Sequence, residues 1–142
     1  MSLPERGSTG EDIAKAAASL IGTPFRLQGR DPRYGLDCIG LVEFSLSSAG
    51  YQVTAPRGYG LRQPDLRKVL RGANACGLID ARTAMRAGDI ILVSPGPGQS
   101  HLLVCETSTS FIHAHAGLRK VARLDGELPW PVLRQWRTPS PE

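Results

Sequence analysis

The stretch that most limits how this chain can fold is Asp37-Cys38-Ile39-Gly40-Leu41-Val42-Glu43-Phe44-Ser45-Leu46, ending at Ala49-Gly50. Its apolar positions 38, 41, 42, 45/46 and 49 recur at helical spacing. Asp37 is the expected N-cap, because its carboxylate can accept from the open N–H groups of the first turn. Gly50 is the expected residue past the last turn, since glycine takes the left-handed conformation without a side-chain clash. A helix this apolar has to be buried. It is expected at the centre of the core, with a cysteine at its first position.

A chain of 142 residues holds one such core. It reads as a single domain, 1–142, with 1–8 and 138–142 as loose ends. Before the central helix, Thr9 is a candidate N-cap with Asp12 three residues on. Ile13, Ala14, Ala17, Leu20 and Ile21 then keep helical spacing as far as Gly22. Thr23–Leu36 carries two prolines and two glycines and reads as loop. Residues 51–63 form a second loop, and Pro64–Arg71 a short surface helix closed by Gly72. After Gly88 the pattern turns to strands: Ile90–Val93, then His101–Cys105 and Phe111–His115 around a hairpin loop within Glu106–Ser110. Val121-Ala122 and Val132–Trp136 are weaker strand candidates. Helices first and strands afterwards predict an α+β fold, an antiparallel sheet with helices packed on one face.

Composition narrows the function classes. The formal net charge of +4 suits anionic partners such as cell-wall polymers. No Lys/Arg block and no interleaving of basic and aromatic residues is present, so nucleic acid is not an expected partner. No apolar run approaches the roughly 20 residues of a membrane span, so insertion is not expected either. Met1–Arg6 lacks an apolar leader core. Cytoplasmic synthesis and delivery to the cell wall by another component are therefore expected. Cys38, Cys76 and Cys105 make an odd set with no C-x-x-C pair, which argues against a disulfide framework.

Cys38 has chemistry around it. At a helix start, open N–H groups and the positive end of the dipole lower a thiol's pKa. The same N–H groups can hold the anionic oxygen of a tetrahedral intermediate. Taken alone, Cys38 fits a small core thiol equally well. His101 begins a strand directly after a Pro/Gly/Ser loop, and His113 lies on the next strand. Alternation puts 101, 103 and 105 on one face, and 111, 113 and 115 on one face. A hairpin centred near Thr107 sets His101 opposite His113; centred one residue later, it sets His101 opposite His115. One imidazole can then take the thiol proton while the second fixes its tautomer. Parity does not separate His113 from His115. Three histidines on paired strands also match part of a zinc set, without the closely spaced Cys or carboxylate that usually completes one. No metal or cofactor is expected. Cys105 reads as core, and Cys76 receives no role.

Four stretches, in order, resemble the NlpC-type cell-wall cysteine peptidases, a compact papain-like family. Ala17-Ala18-Ser19-Leu20-Ile21-Gly22-Thr23-Pro24-Phe25 is similar to the family's opening helix and G-x-P-Y loop. Asp37-Cys38-Ile39-Gly40-Leu41-Val42 resembles the D-C-S-G-L-V nucleophile motif. Arg86-Ala87-Gly88-Asp89-Ile90-Ile91 resembles the x-x-G-D-L-V run at the start of a strand. His101, followed by Phe111-Ile112-His113-Ala114, is similar to the H-V-G-I-Y and I-H-A pair. The resemblance covers roughly residues 13–125.

The resemblance implies an antiparallel sheet packed against a central helix that begins at the nucleophile. It implies Cys38 as nucleophile, His101 as general base and His113 as the residue orienting His101. It implies hydrolysis of amide bonds in peptidoglycan stem peptides, commonly between D-glutamate and a diamino acid. The loop Leu27–Arg33 and the missing leader look closest to the branch carried on phage tails and gene-transfer particles, so tail proteins are expected partners. Two positions depart from the pattern: Phe25 stands where the family usually has Tyr, with Tyr34 as a substitute hydroxyl, and Ile39 stands where it usually has Ser. Tyr34, Asp37 and Ile39 are the expected substrate-side residues. Two further classes stay open. One is a catalytically silent structural or binding domain at a tail tip. The other is an amidase or acyltransferase using the same residues on another substrate.

Overall fold

The computed structural model describes residues 9–53 and 66–139, without the side chains of 66–69. The expected loose arm (1–8), most of the loop expected over 51–63, Pro64 and the last three residues lie outside the described residues.

Helix α1 (Thr9–Ser19) buries Ile13, Ala14 and Ala17, as the helical spacing requires. Thr9, the expected N-cap, is itself within the helix. Ile21 falls beyond the helix and is exposed, because the chain has by then turned at Gly22 with a φ of 94°. The Gly22 N–H bonds the Val121 carbonyl, which hands the chain to the edge of the sheet.

Helix α2 (Cys38–Ser48) is the central element. Asp37 is its N-cap, and Gly50 follows its C-cap Ala49 with a φ of 95°. The Tyr51 N–H bonds the Leu46 carbonyl and the Gly50 N–H that of Ser47, the paired closure a left-handed glycine permits. Ile39, Gly40, Leu41, Val42, Ser45 and Leu46 are all buried. Helix α3 (Leu66–Ala75) runs through Gly72, where the sequence pattern had closed it. It ends instead at Gly77, φ 91°, through the same closure: Leu78 N–H to Ala73 O and Gly77 N–H to Asn74 O.

Between the first two helices lies a short hairpin, β1 (Arg30–Asp31) and β2 (Gly35–Leu36), within the stretch read as loop. The large sheet has β3 (Ile79–Asp80), β4 (Ile90–Val93), β5 (His101–Thr107), β6 (Ser110–His115), β7 (Lys120–Asp125) and β8 (Val132–Arg137). Its order is β3-β8-β4-β5-β6-β7, with every pair antiparallel. The strand β8 therefore inserts between β3 and β4, and residues 126–131 carry the chain back across the sheet from its β7 edge.

Strand alternation divides the core in two. Ile90, Leu92, Leu102, Val104, Ile112, Ala114, Val121 and Trp136 join the α1 and α2 residues in one cluster. Ile91, Val93, Leu103, Cys105 and Phe111 form a second cluster, closed by Met85, Leu124, Leu128 and Trp130. Beneath the sheet's β4–β8 end, the fully buried Asp89 carboxylate takes two bonds of 2.8 Å from Arg137, Nε to Oδ1 and Nη2 to Oδ2. It also accepts the Gln135 amide at 3.0 Å and the Arg86 N–H at 3.0 Å. Such a satisfied buried ion pair locks a loop and two strands, and removing one partner would leave a stranded charge.

Candidate active site

Asp37 sets where α2 begins. Its Oδ1 accepts the Gly40 N–H at 2.9 Å, and its Oδ2 accepts the Gln28 N–H at 2.7 Å. Arg30 Nη1 donates to Oδ1 at 3.1 Å, and Arg30 Nε lies 3.0 Å from Glu43 Oε1 on α2. Gln28 reaches Asp37 from a left-handed φ of 61°. Gly40 packs directly on this loop, for a Cβ there would run into the Gly29 carbonyl oxygen. Loop and helix start are thus held together by one carboxylate and two glycines. Cys38, the next residue along, is fixed in place by them.

The Cys38 side chain is half-buried and points at the sheet, where the backbone N–H of Leu102 hydrogen-bonds it. Leu102 adjoins His101, the first residue of β5. The β5–β6 ladder pairs Thr107 with Ser110, Cys105 with Phe111 and Val104 with Ile112, with a bulge between Cys105 and Thr107. The register follows the later of the two hairpin centres, and its continuation would set His101 opposite His115. His101 nevertheless meets His113: His101 Nε2 lies 3.1 Å from His113 Nδ1. The contact runs diagonally across the strands, within reach of a ring-sized side chain. His115 is tied elsewhere, its Nδ1 accepting the Leu118 N–H at 3.0 Å in the turn after β6. Its ring stands edge-on to His113 with centroids 5.1 Å apart.

Burial controls the electrostatics. Position at a helix start alone predicts a lowered thiol pKa, but desolvation pushes the Cys38 thiol up to about 12, with the Asp37 charge adding to it. The Leu102 N–H, the Arg30 guanidinium and the thiol's own N–H pull the other way and lose. His101 is pushed down to about 3, by desolvation first and then by His113 and His115. His113 is pushed down to about 4 by desolvation and by His115. At neutral pH the resting groups are a neutral thiol and neutral imidazoles.

Of the six sequence-derived positions, Asp37 and Cys38 lie at the start of α2, His101 and His113 meet across β5 and β6, and the Leu102 N–H beside His101 bonds Cys38. Asp37 serves as the cap of α2. Ile39 is 3% exposed and packs into the helix-side core. Tyr34 is 63% exposed at the turn of the β1–β2 hairpin, with the Arg33 guanidinium 5.5 Å from its ring. Phe25 is partly buried against the core. Sequence reasoning passed over Trp130, whose indole lies 6.1 Å from the His101 ring and 6.3 Å from that of His113, centroid to centroid. Its one local signal was a tryptophan between two prolines, Pro129 and Pro131. Arg30, which ties Asp37 to Glu43, likewise has no role in the sequence reading. Among the described residues no group of three His, Cys, Asp or Glu side chains could hold a metal ion. No helix among them is long and apolar enough to cross a membrane.

Several solved structures share this fold. NlpC2 from Trichomonas vaginalis aligns at a TM-score of 0.69 and 19% identity, over 94% of this chain and 50% of that one. The P60 domain of an antigen from M. avium subspecies paratuberculosis aligns at 0.59 and 21%, over 92% of this chain and 93% of that one. The peptidoglycan hydrolase RipB from Mycobacterium tuberculosis aligns at 0.61 and 23%, over 91% and 64%. The chain spans about half the length of the Trichomonas proteins it resembles. No curated protein matches it. The NlpC/P60 family model matches residues 22–136, from the turn after α1 through α2 and the large sheet to Trp136, and the chain accordingly belongs to the NlpC/P60 family, papain-like in fold.

Proposed function

We propose that this protein is a cysteine endopeptidase or amidase acting on amide bonds of peptidoglycan stem peptides. Cys38 is its nucleophile, His101 its general base and His113 the residue that orients His101. One observation carries this reading. Cys38 points its sulfur at the amide beside His101, and His101 turns Nε2 onto His113 at 3.1 Å. For His101 to accept a proton at Nδ1, its ring hydrogen must sit on Nε2, and His113 Nδ1 is the acceptor that holds it there. The thiol proton then passes to His101 as Sγ bonds the amide carbon. The Cys38 N–H at the helix start supports the oxyanion. His101 returns the proton to the leaving amine, and water hydrolyses the thioester with His101 as base. Ionising thiol or imidazole alone is opposed by burial. Moving the proton between them creates opposite charges that support each other, so transfer accompanies attack.

RipB, and SagA among the other structural relatives, are peptidoglycan hydrolases by name, which supports the substrate class. The D-glutamyl–diamino acid bond and carriage on a phage-tail or gene-transfer particle rest on the sequence resemblance alone. Cys38→Ala and His101→Ala, assayed on purified sacculi, are each expected to lower cleavage by about 10³-fold or more. Undiminished cleavage by either would remove the assignment, and mass analysis of released muropeptides identifies the bond.

The raised thiol pKa favours one second reading, a catalytically silent binding domain. That reading requires intact sacculi, and alkylation of Cys38 at neutral pH no faster than that of a free thiol. Faster alkylation that depends on His101 rejects it.

A further inference from the structure

We propose that Trp130 is a positioning residue of the histidine pair: its indole, carried over the imidazoles of His101 and His113 by the crossover segment 126–131, keeps water from both rings and fixes the plane of His101. The proposal rests on the peptidase reading for its catalytic consequence but not for its physical content.

Trp130 touches both rings in different ways. It stands edge-on to His101, with an interplanar angle of 89°, and tilts over His113 at 54°. His101 and His113 are themselves edge-on, centroids 5.3 Å apart, so the three rings close on one another. A single ring contact limits one direction of rotation. Here His101 is limited by the hydrogen bond from Nε2 and by two ring edges, which leaves one orientation.

The indole is held where it is by its surroundings. Its ring packs on the face of the sheet that holds Ile91, Val93, Leu103, Cys105 and Phe111. Leu128, two residues earlier in the same segment, packs on that cluster too. Pro129 and Pro131 fix the backbone φ on either side, and the Pro131 carbonyl accepts the Ser94 N–H at 3.0 Å, pinning the segment to the end of β4. The segment reaches the histidines because β8 lies between β3 and β4, so the chain must return from the β7 edge across β6 and β5. Among the described residues, the titratable group that acts on both rings is His115 on β6, while the Cys38 thiol on α2 meets the Leu102 amide beside His101.

Trp130→Ala opens both rings to water. His101 and His113, followed by NMR of their ring protons, are expected to titrate about one pH unit or more higher. The acid limb of kcat/KM on a stem peptide is expected to move up with them. The loss falls on kcat more than on KM, and Trp130→Phe restores most of both. Trp130→Leu keeps apolar bulk but not the ring edge, so it covers the case in which the alanine variant does not fold, with a smaller shift of the same sign. Unchanged histidine titrations in both the alanine and leucine variants overturn the proposal. A shift in the titrations without any hydrolase activity in the parent protein leaves the positioning role standing and removes the peptidase reading instead.

Discussion

His113 and His115 sit two residues apart on one strand face, and what separates them is where each ring nitrogen is tied. His113 Nδ1 meets His101, whereas His115 Nδ1 accepts a turn amide. On the proposed mechanism, replacing His113 by Ala removes the partner of His101 Nε2 and leaves the proposed base free to adopt the other tautomer. The expected loss in kcat/KM is about 10²-fold. His113→Asn, which retains an acceptor, should recover part of it. His115→Ala should cost activity only through the turn at Leu118, by a few-fold at most. Steady-state kinetics on a stem peptide decide the matter, and a larger loss at His115 than at His113 would reverse the assignment. The two candidates were indistinguishable in the sequence because parity is all that alternation supplies. The bulge between Cys105 and Thr107 sets the register, and the diagonal approach of the rings is then decided by side-chain geometry. The direction of the Cys38 shift was misjudged for a related reason. A helix start is visible in sequence, but the burial that outweighs it belongs to the packed sheet.

At the level of elements, the start of α2 depends on a loop lying flat against it. Gly40 allows this by having no side chain where the Gly29 carbonyl rests. Helix propensity alone would make Gly40→Ala stabilising by about 1 kcal/mol. The overlap with backbone atoms is the larger effect, because neither the helix nor the Gln28–Asp37–Arg30 bonds can yield without losing partners for a buried carboxylate. A net destabilisation of about 1–3 kcal/mol is expected, with slower alkylation of Cys38 as its placement loosens. Chemical denaturation together with iodoacetamide kinetics tests this, and a more stable Gly40→Ala protein would mean that the loop is not held as described. Both ends of α2 were readable beforehand, since Asp37 and Gly50 act within a few residues of themselves. The β1–β2 hairpin was not, because two-residue strands carry no period. Nor was the insertion of β8 between β3 and β4, which depends on pairings far apart in sequence, and with it went any view of Trp130 crossing to the histidines.

For the molecule as a whole, the buried histidines make folding sensitive to mild acid. His101 titrates at about 3 and His113 at about 4 in the folded chain, each below the ordinary value of 6.5. The unfolded chain therefore takes up protons near pH 6.5 that the folded chain refuses until much lower pH. Stability is complete above about pH 6.5 and falls as pH drops toward the folded values, each histidine contributing a slope of up to about 1.4 kcal/mol per pH unit. Carboxylates act in a lower window. Glu106, held down to about 2 by Arg123 and Ser110, contributes stability above its ordinary 4.5, lost only as pH falls from there toward 2. Between pH 6.5 and 4.5 the loss is thus assigned to the histidines. Denaturant titrations across that interval should show stability falling in the parent protein, and a nearly flat profile when His101 and His113 are both replaced by Asn. The slope is the readout, since the double replacement also shifts the absolute level by altering packing against Trp130. Equal slopes in the two proteins would show that the imidazoles are already open to water in the folded state. That result would also undercut the dry, neutral pair on which concerted proton transfer from Cys38 depends.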